Sequence, residues 1–220
     1  MQYLHKFTDG STYHFPLGKV VCVGRNYAEH AKELNNPVPS TPILFIKPAT
    51  SVVPLTDPLV IPEGQGACHF ETELAILIGA SLRHATHEQV RDAIAGVGLA
   101  FDLTLRDLQS TLKEKSLPWE IAKSFDGACP LSAFVKAAEL NLENPLHFSM
   151  KVDGKLQQQG STDDMITPII PLIAYMSQHF TLQAGDVVLT GTPAGVGPLA
   201  SGMTLAVELT GLYSAETNVR

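Results

Sequence analysis

The segment His69-Phe-Glu71-Thr-Glu73 carries two carboxylates at alternate positions beside a histidine. Alternate side chains of an extended chain share a face, so Glu71 and Glu73 project together, with His69 beside them. The opposite face receives Phe70, Thr72, Leu74, Ile76 and Ile78, an apolar set suited to a core. Two carboxylates on a half-buried strand repel, and a divalent cation between them relieves the conflict. Asp102 is a third candidate ligand, because it interrupts the apolar run Gly98-Leu-Ala-Phe-Asp102, where an unpaired charge is expensive. Such an all-oxygen set suits Mg2+ or Mn2+, with Ca2+ admissible and zinc disfavoured for want of His or Cys ligands. Residue types alone leave a second reading open, in which the glutamates decorate a solvated strand face and Asp102 binds a backbone amide.

In Gly24-Arg-Asn-Tyr-Ala-Glu-His30-Ala-Lys-Glu33, His30 and Glu33 stand at i, i+3 and meet on one helix face. A carboxylate on one imidazole nitrogen fixes the tautomer and raises the basicity of the other, which can then take a proton from water. The same spacing also occurs on ordinary exposed helices. Lys123 offers a cation for an anionic intermediate, although most lysines simply face solvent. Gly191-Thr-Pro-Ala-Gly195-Val-Gly197 lacks the Gly-Lys-Ser/Thr ending of a Walker A loop and the glycine spacing of a dinucleotide site. A nucleotide is excluded on these grounds. The loop's amides and the Thr192 hydroxyl suit a carboxylate, or the glycines serve only a tight connection.

Short strands and few helices must position these groups. Residues 1–18 read as a hairpin turning at Asp9-Gly10, followed by a strand over Lys19–Val23 and a brief helix from Tyr27 to Leu34 closed by Asn35-Asn36-Pro37. Prolines 37, 39, 42, 48, 54, 58 and 62 exclude a continuous helix beyond it. Strands are predicted over His69–Ile78 and Val97–Leu105, the second running into a helix over 106–115. A capping box at Thr86–Gln89 opens a helix that Gly96 should end. Asp153-Gly154 marks a hairpin between His147–Val152 and Lys155–Gly160. A helix is predicted from Thr167-Pro168 to His179, then strands over Val187–Thr190 and, last, Thr204–Leu209. The expected fold class is mixed β with short helices (α+β), in a single domain over residues 1–220.

Seventeen Gly and 15 Pro among 220 residues fit a turn-rich chain, and 45% hydrophobic residues fit a globular one. The net charge of −7 argues against nucleic acid as a partner. Three separated cysteines form no disulfide framework, which suits a reducing compartment. The first residues lack a signal core or transit character, and the longest apolar runs, Leu74–Ala80 and Ile169–Met176, are too short to cross a bilayer. A cytoplasmic protein without membrane contact is expected.

Six blocks together resemble the fumarylacetoacetate hydrolase family, specifically its small acylpyruvate hydrolase and oxaloacetate decarboxylase branch. They are GRNYAEHAKE at 24–33, FETELAILIG at 70–79, FDLTLRDLQ at 101–109, AKSFDGACPLS at 122–132, GSTDDMI at 160–166 and GDVVLTGTPAGVG at 185–197. The resemblance implies a compact β-roll or β-sandwich, usually homodimeric, without the additional domain of the larger members. It assigns Glu71, Glu73 and Asp102 to a Mg2+ or Mn2+ site, His30 and Glu33 to the dyad of a short lid helix, and Lys123 to catalysis. It also places Arg25, Arg106, Gln109 and Thr192 on the substrate.

The implied substrate is a small 2-oxo acid whose C1 carboxylate and C2 carbonyl chelate the metal, with a pyruvate enolate forming as the C3–C4 bond breaks. The leading expectation is hydrolysis of acylpyruvates, with His30 and Glu33 activating water. Alternatives are oxaloacetate decarboxylation, isomerisation or decarboxylation of the dioxo acids of aromatic degradation, and a non-catalytic metabolite-binding protein.

Overall fold

The computed structural model describes residues 3–33 and 39–220. Its main sheet has eight strands, running Leu44–Pro48, Lys19–Val23, Val187–Leu189, Thr72–Ile78, Ile94–Phe101, Cys129–Leu131 and Val52–Pro54, with Val135–Lys136 also paired to Ile94–Phe101. Two pairings are parallel, Val187–Leu189 with Lys19–Val23 and Cys129–Leu131 with Val52–Pro54; the others are antiparallel. A four-stranded antiparallel sheet follows the order Lys155–Ser161, His147–Val152, Thr204–Leu209, Tyr213–Asn218. A small sheet joins Gly197–Pro198, Cys68–Phe70 and Thr104–Leu105. Helices are few and short, so the class is mixed α+β as expected. Among the described residues no helix is long and apolar enough to cross a membrane.

Thr72–Ile78 lies at the centre, and all seven of its residues are buried. Leu74, Ile76 and Ile78 enter one apolar cluster, with Phe101 and Leu172; Ala75 and Leu77 enter another, with Ala100 and Phe134. The strand is therefore buried on both faces, not half-buried as its alternation suggested. A near-continuous apolar run is the pattern such a strand needs. The predicted strands His69–Ile78 and Val97–Leu105 are each broken once, at Glu71 and after Phe101. The two breaks face each other, and the Asp102 N–H donates to the Glu71 carbonyl at 2.8 Å. Both candidate ligands thus leave the ladder at one level of the sheet.

The Thr86 capping box is present, but its helix ends at Asp92 and Gly96 lies inside the Ile94–Phe101 strand. A Cβ at Gly96 would lie 2.8 Å from the Val135 carbonyl and 3.1 Å from Phe134 Cβ, so close strand packing explains the glycine. The hairpin at Asp153-Gly154 forms as expected, and Pro168 caps the Ile169–His179 helix from outside its first turn. Thr204–Leu209 is not the last strand. Tyr213–Asn218 follows, a polar edge strand whose alternation is too weakly apolar to signal itself. The helix near the N-terminus covers Ala28–Glu33; the predicted continuation through Leu34 and the Asn35-Asn36-Pro37 stop lie outside the described residues.

Candidate active site

Glu71, Glu73 and Asp102 converge. One carboxylate oxygen from each lies within 4.8 Å of the others, and all three residues are buried, which removes the solvated-face reading. Register explains the convergence: Glu73 pairs with Ala100, two residues before Asp102. His69 shares the strand face but does not join the cluster; it is half-buried, and its Nδ1 has no partner.

Buried carboxylates require compensation. Lys123 Nζ donates to Glu71 Oε2 at 2.8 Å and to Asp102 Oδ2 at 2.6 Å, with its ammonium 5.0 Å from the Phe45 ring centroid. Arg106 donates to Glu71 Oε1, and its other terminal nitrogen to Gln109 Oε1 at 2.9 Å. Burial alone would raise the Glu71 pKa, but Lys123 and Arg106 overcome it and hold the carboxyl well below its ordinary range. Burial likewise works against the Lys123 charge, and the two carboxylates outweigh it and push its pKa up. Glu73 behaves oppositely. Burial, then Asp102 and Glu71, raise its pKa well above the ordinary carboxylate value, against the Gly191 N–H that donates to Oε2 at 2.6 Å.

Lys47 is a member that spacing did not reveal. It is fully buried and lies 2.7 Å from Asp102 Oδ1. It donates to the carbonyls of Ala128 at 3.0 Å, Leu103 at 3.3 Å and Lys123. Its signal was available: a lone lysine in Ile43-Leu-Phe-Ile-Lys47 poses the same problem as a lone aspartate in an apolar run. The ion pair lacks hydrogen-bond geometry, so Asp102 Oδ1 keeps no hydrogen-bond partner. Asp102 Oδ1, which accepts no hydrogen bond, and the converging all-oxygen donor set fit a hard divalent cation.

Glu71 alone of the three carboxylates lines a small cleft of about 20 Å³, shared with Arg25, His30, Arg106, Gln109, Lys113, Trp119 and Lys123. His30 is buried, and its Nδ1 lies 3.1 Å from Glu33 Oε2. Glu33 Oε1 accepts from the Gly195 N–H at 3.0 Å, so the expected pair exists and is tied to the glycine-rich loop. That loop does hold carboxylates, and they are the protein's own: Gly191 serves Glu73, and Gly195 serves Glu33. Gly191 (φ +93°) and Gly195 (φ +99°) adopt left-handed backbone, and a Cβ on the latter would collide with the Gln157 carbonyl.

Thr192 is buried but does not line this cleft. Its hydroxyl accepts from Gln158 Nε2 at 2.8 Å, while Gln158 Oε1 accepts from the Thr72 N–H at 3.0 Å. Gln158 was not anticipated, nor was Asn26. Asn26 fixes the entry to the Ala28–Glu33 helix by donating to the Thr167 and Thr190 carbonyls, both at 2.9 Å, and accepting from the Thr167 N–H at 2.7 Å.

The family profile for the fumarylacetoacetate (FAA) hydrolase C-terminal region matches residues 19–220. The chain belongs to the fumarylacetoacetate hydrolase family. Within that family it is 55% identical over 218 residues to oxaloacetate tautomerase YcgM of Escherichia coli (strain K12), covering 99% of each chain. It is 44% identical over 195 residues to a mitochondrial oxaloacetate decarboxylase of Dictyostelium discoideum, covering 88% of this chain and 89% of that one. Its structure superposes with a TM-score of 0.93 on fumarylpyruvate hydrolase from Pseudomonas aeruginosa in complex with Mn2+ and pyruvate, at 34% identity over 99% of this chain and 95% of the other.

Proposed function

We propose that this chain is a Mg2+- or Mn2+-dependent oxaloacetate keto–enol tautomerase. The observation that carries the reading is the buried cluster of Glu71, Glu73 and Asp102, one of whose members, Glu71, lines a small cleft together with His30 and Lys123. The 55% identical tautomerase supports the substrate. That likeness moves the preferred reaction away from the acylpyruvate hydrolysis expected from the sequence.

A divalent ion held by Glu71, Glu73 and Asp102 would supply Lewis-acid stabilisation of the oxygen on C2. The side chains supply the remainder. Lys123 uses two of its three N–H groups on Glu71 and Asp102, leaving one for the oxygen that bears the enolate charge. With Nδ1 held by Glu33, His30 presents Nε2 as the group that gives C3 its proton or removes it. In the enol-to-keto direction the C2 hydroxyl loses its proton to solvent, C3 gains one from the Nε2 of the His30 imidazolium, and His30 takes a replacement proton from solvent. No attacking water is required. Arg106 and Gln109, joined to each other and to Glu71, shape the side of the cleft where the substrate carboxylate lies.

A second reading has its own support: the P. aeruginosa hydrolase shares the fold at 34% identity, and there the same dyad would direct water at the C4 carbonyl of an acylpyruvate. Product analysis separates the readings. Metal-loaded protein is given enol oxaloacetate, keto oxaloacetate, acetylpyruvate and fumarylpyruvate, and each mixture is followed by NMR. Tautomer exchange without pyruvate is the expected outcome. Pyruvate plus a carboxylic acid from the acylpyruvates, with no faster exchange, overturns it.

A further inference from the structure

Four cationic side chains, Arg25, Arg106, Lys113 and Lys123, line the cleft, against a single lining carboxylate, Glu71. This excess sits in a chain of net charge −7, so it is a local construction. Two of the four are committed, Arg106 to Glu71 and Gln109, and Lys123 to Glu71 and Asp102. Lys113 differs. Among the described residues no carboxylate lies within ion-pair distance of its ammonium, which sits 5.3 Å from the Trp119 ring centroid. The cations beside it make the position costly: burial first, then Arg25, Arg106 and Lys123, lower its pKa. A lysine held among like charges beside a tryptophan face suits an anion that arrives with the ligand.

Position supports this. Arg106, Gln109 and Lys113 stand at i, i+3 and i+7 on the Arg106–Glu114 helix and share one face toward the cleft, while Leu112 is buried in the core. Glu71 and Lys123 are buried at the floor; Lys113, Arg25 and Trp119 are only partly buried, toward the mouth. A ligand gripped at the floor by one end therefore presents its far end to Lys113.

We infer that Lys113 is the specificity-determining residue that binds the second, distal carboxylate of a dicarboxylate 2-oxo acid, so that the cleft selects four-carbon dianions over monocarboxylates of equal length. The inference rests on the tautomerase reading for the placement of the C1 end, and it names the group that recognises the C4 end. A charged hydrogen bond of this kind corresponds to roughly ten- to a hundredfold in affinity.

The test uses Mn2+-loaded protein and two pairs of probes. Oxaloacetate and 2-oxobutanoate report on turnover and on competition for the site. Malate and 2-hydroxybutanoate, measured by calorimetry, report on binding alone. Wild type should prefer the dicarboxylate in both pairs. Lys113→Gln should raise the KM for oxaloacetate and weaken malate by about ten- to a hundredfold. It should leave 2-oxobutanoate, 2-hydroxybutanoate and Mn2+ affinity nearly unchanged, and Lys113→Arg should restore most of the preference. Equal losses for both members of a pair, or a preference that survives in Lys113→Gln, would overturn the assignment. A preference for malate that depends on Lys113 in a protein that does not exchange oxaloacetate tautomers would sink the proposed reaction and leave the assignment standing.

Discussion

Lys47 Nζ stands 2.7 Å from Asp102 Oδ1, an ion pair between two side chains that are both almost completely buried. Lys123 meets the other oxygen of the same carboxylate. Asp102 therefore carries a cation on each side before any metal is considered, and the floor of the site is a charge lattice rather than three isolated acids.

Removing Lys47 leaves Asp102 undercompensated. Lys47→Met should destabilise the metal-free protein by about 3–5 kcal/mol, the usual consequence of breaking a buried pair from one side. Saturating Mn2+ should narrow the gap, because a divalent ion replaces the lost positive charge. Urea unfolding of both proteins with and without Mn2+ measures this. A deficit that is the same in both conditions would show that Lys47 acts through packing alone.

Gly195 ties the loop to the dyad. Its left-handed backbone and its contact with Gln157 leave no space for a side chain, so Gly195→Ala must shift the loop and weaken the bond to Glu33. Turnover should fall by about tenfold or more as His30 loses its orientation, while Mn2+ affinity stays near wild type. Metal titration and steady-state kinetics on the same preparation separate the two effects. Loss of both together would place the loop's role in holding Glu73 through Gly191 rather than in aligning His30.

His5 gives a pH signature remote from the site. It is fully buried, with Nε2 2.8 Å from the Gly185 carbonyl and Nδ1 unpartnered, and burial lowers its pKa against the opposing pull of that carbonyl and Asp186. The unfolded chain then binds a proton that the folded chain refuses, so stability rises with pH through the window between the two values. Its contribution is complete above the ordinary histidine range and is lost as pH falls below it. Between about pH 5 and 7 the stability of His5→Gln should change less with pH than that of wild type. Parallel curves from chemical denaturation would contradict the assignment.

The sequence exposed groups that break a local rule and hid those that obey a distant one. Asp102 could be read because it interrupts an apolar run, and Glu71 with Glu73 because alternation places them together. The Asp153-Gly154 hairpin and the Thr86 capping box announce themselves through local chemistry. Lys47 was as legible as Asp102, but its meaning depends on a partner 55 positions away. Gln158 and Asn26 carry no local signal, since each acts by bonding backbone from a segment remote in the chain. Gly96 misled because glycine ends helices and also lets strands pack closely, and only the neighbours, Phe134 and Val135, decide between them.

The claim that a divalent metal on Glu71, Glu73 and Asp102 serves tautomerisation is tested most directly by following the ultraviolet absorbance of enol oxaloacetate as it ketonises. Wild type is compared as Mn2+-loaded and chelator-stripped protein, alongside Glu73→Gln and His30→Gln. Loaded wild type should accelerate the decay, and stripped protein and Glu73→Gln should match the uncatalysed rate. His30→Gln should keep Mn2+ binding and lose about a hundredfold or more in rate. An equal rate from loaded and stripped wild type, or full activity in Glu73→Gln, would contradict the metal-dependent mechanism.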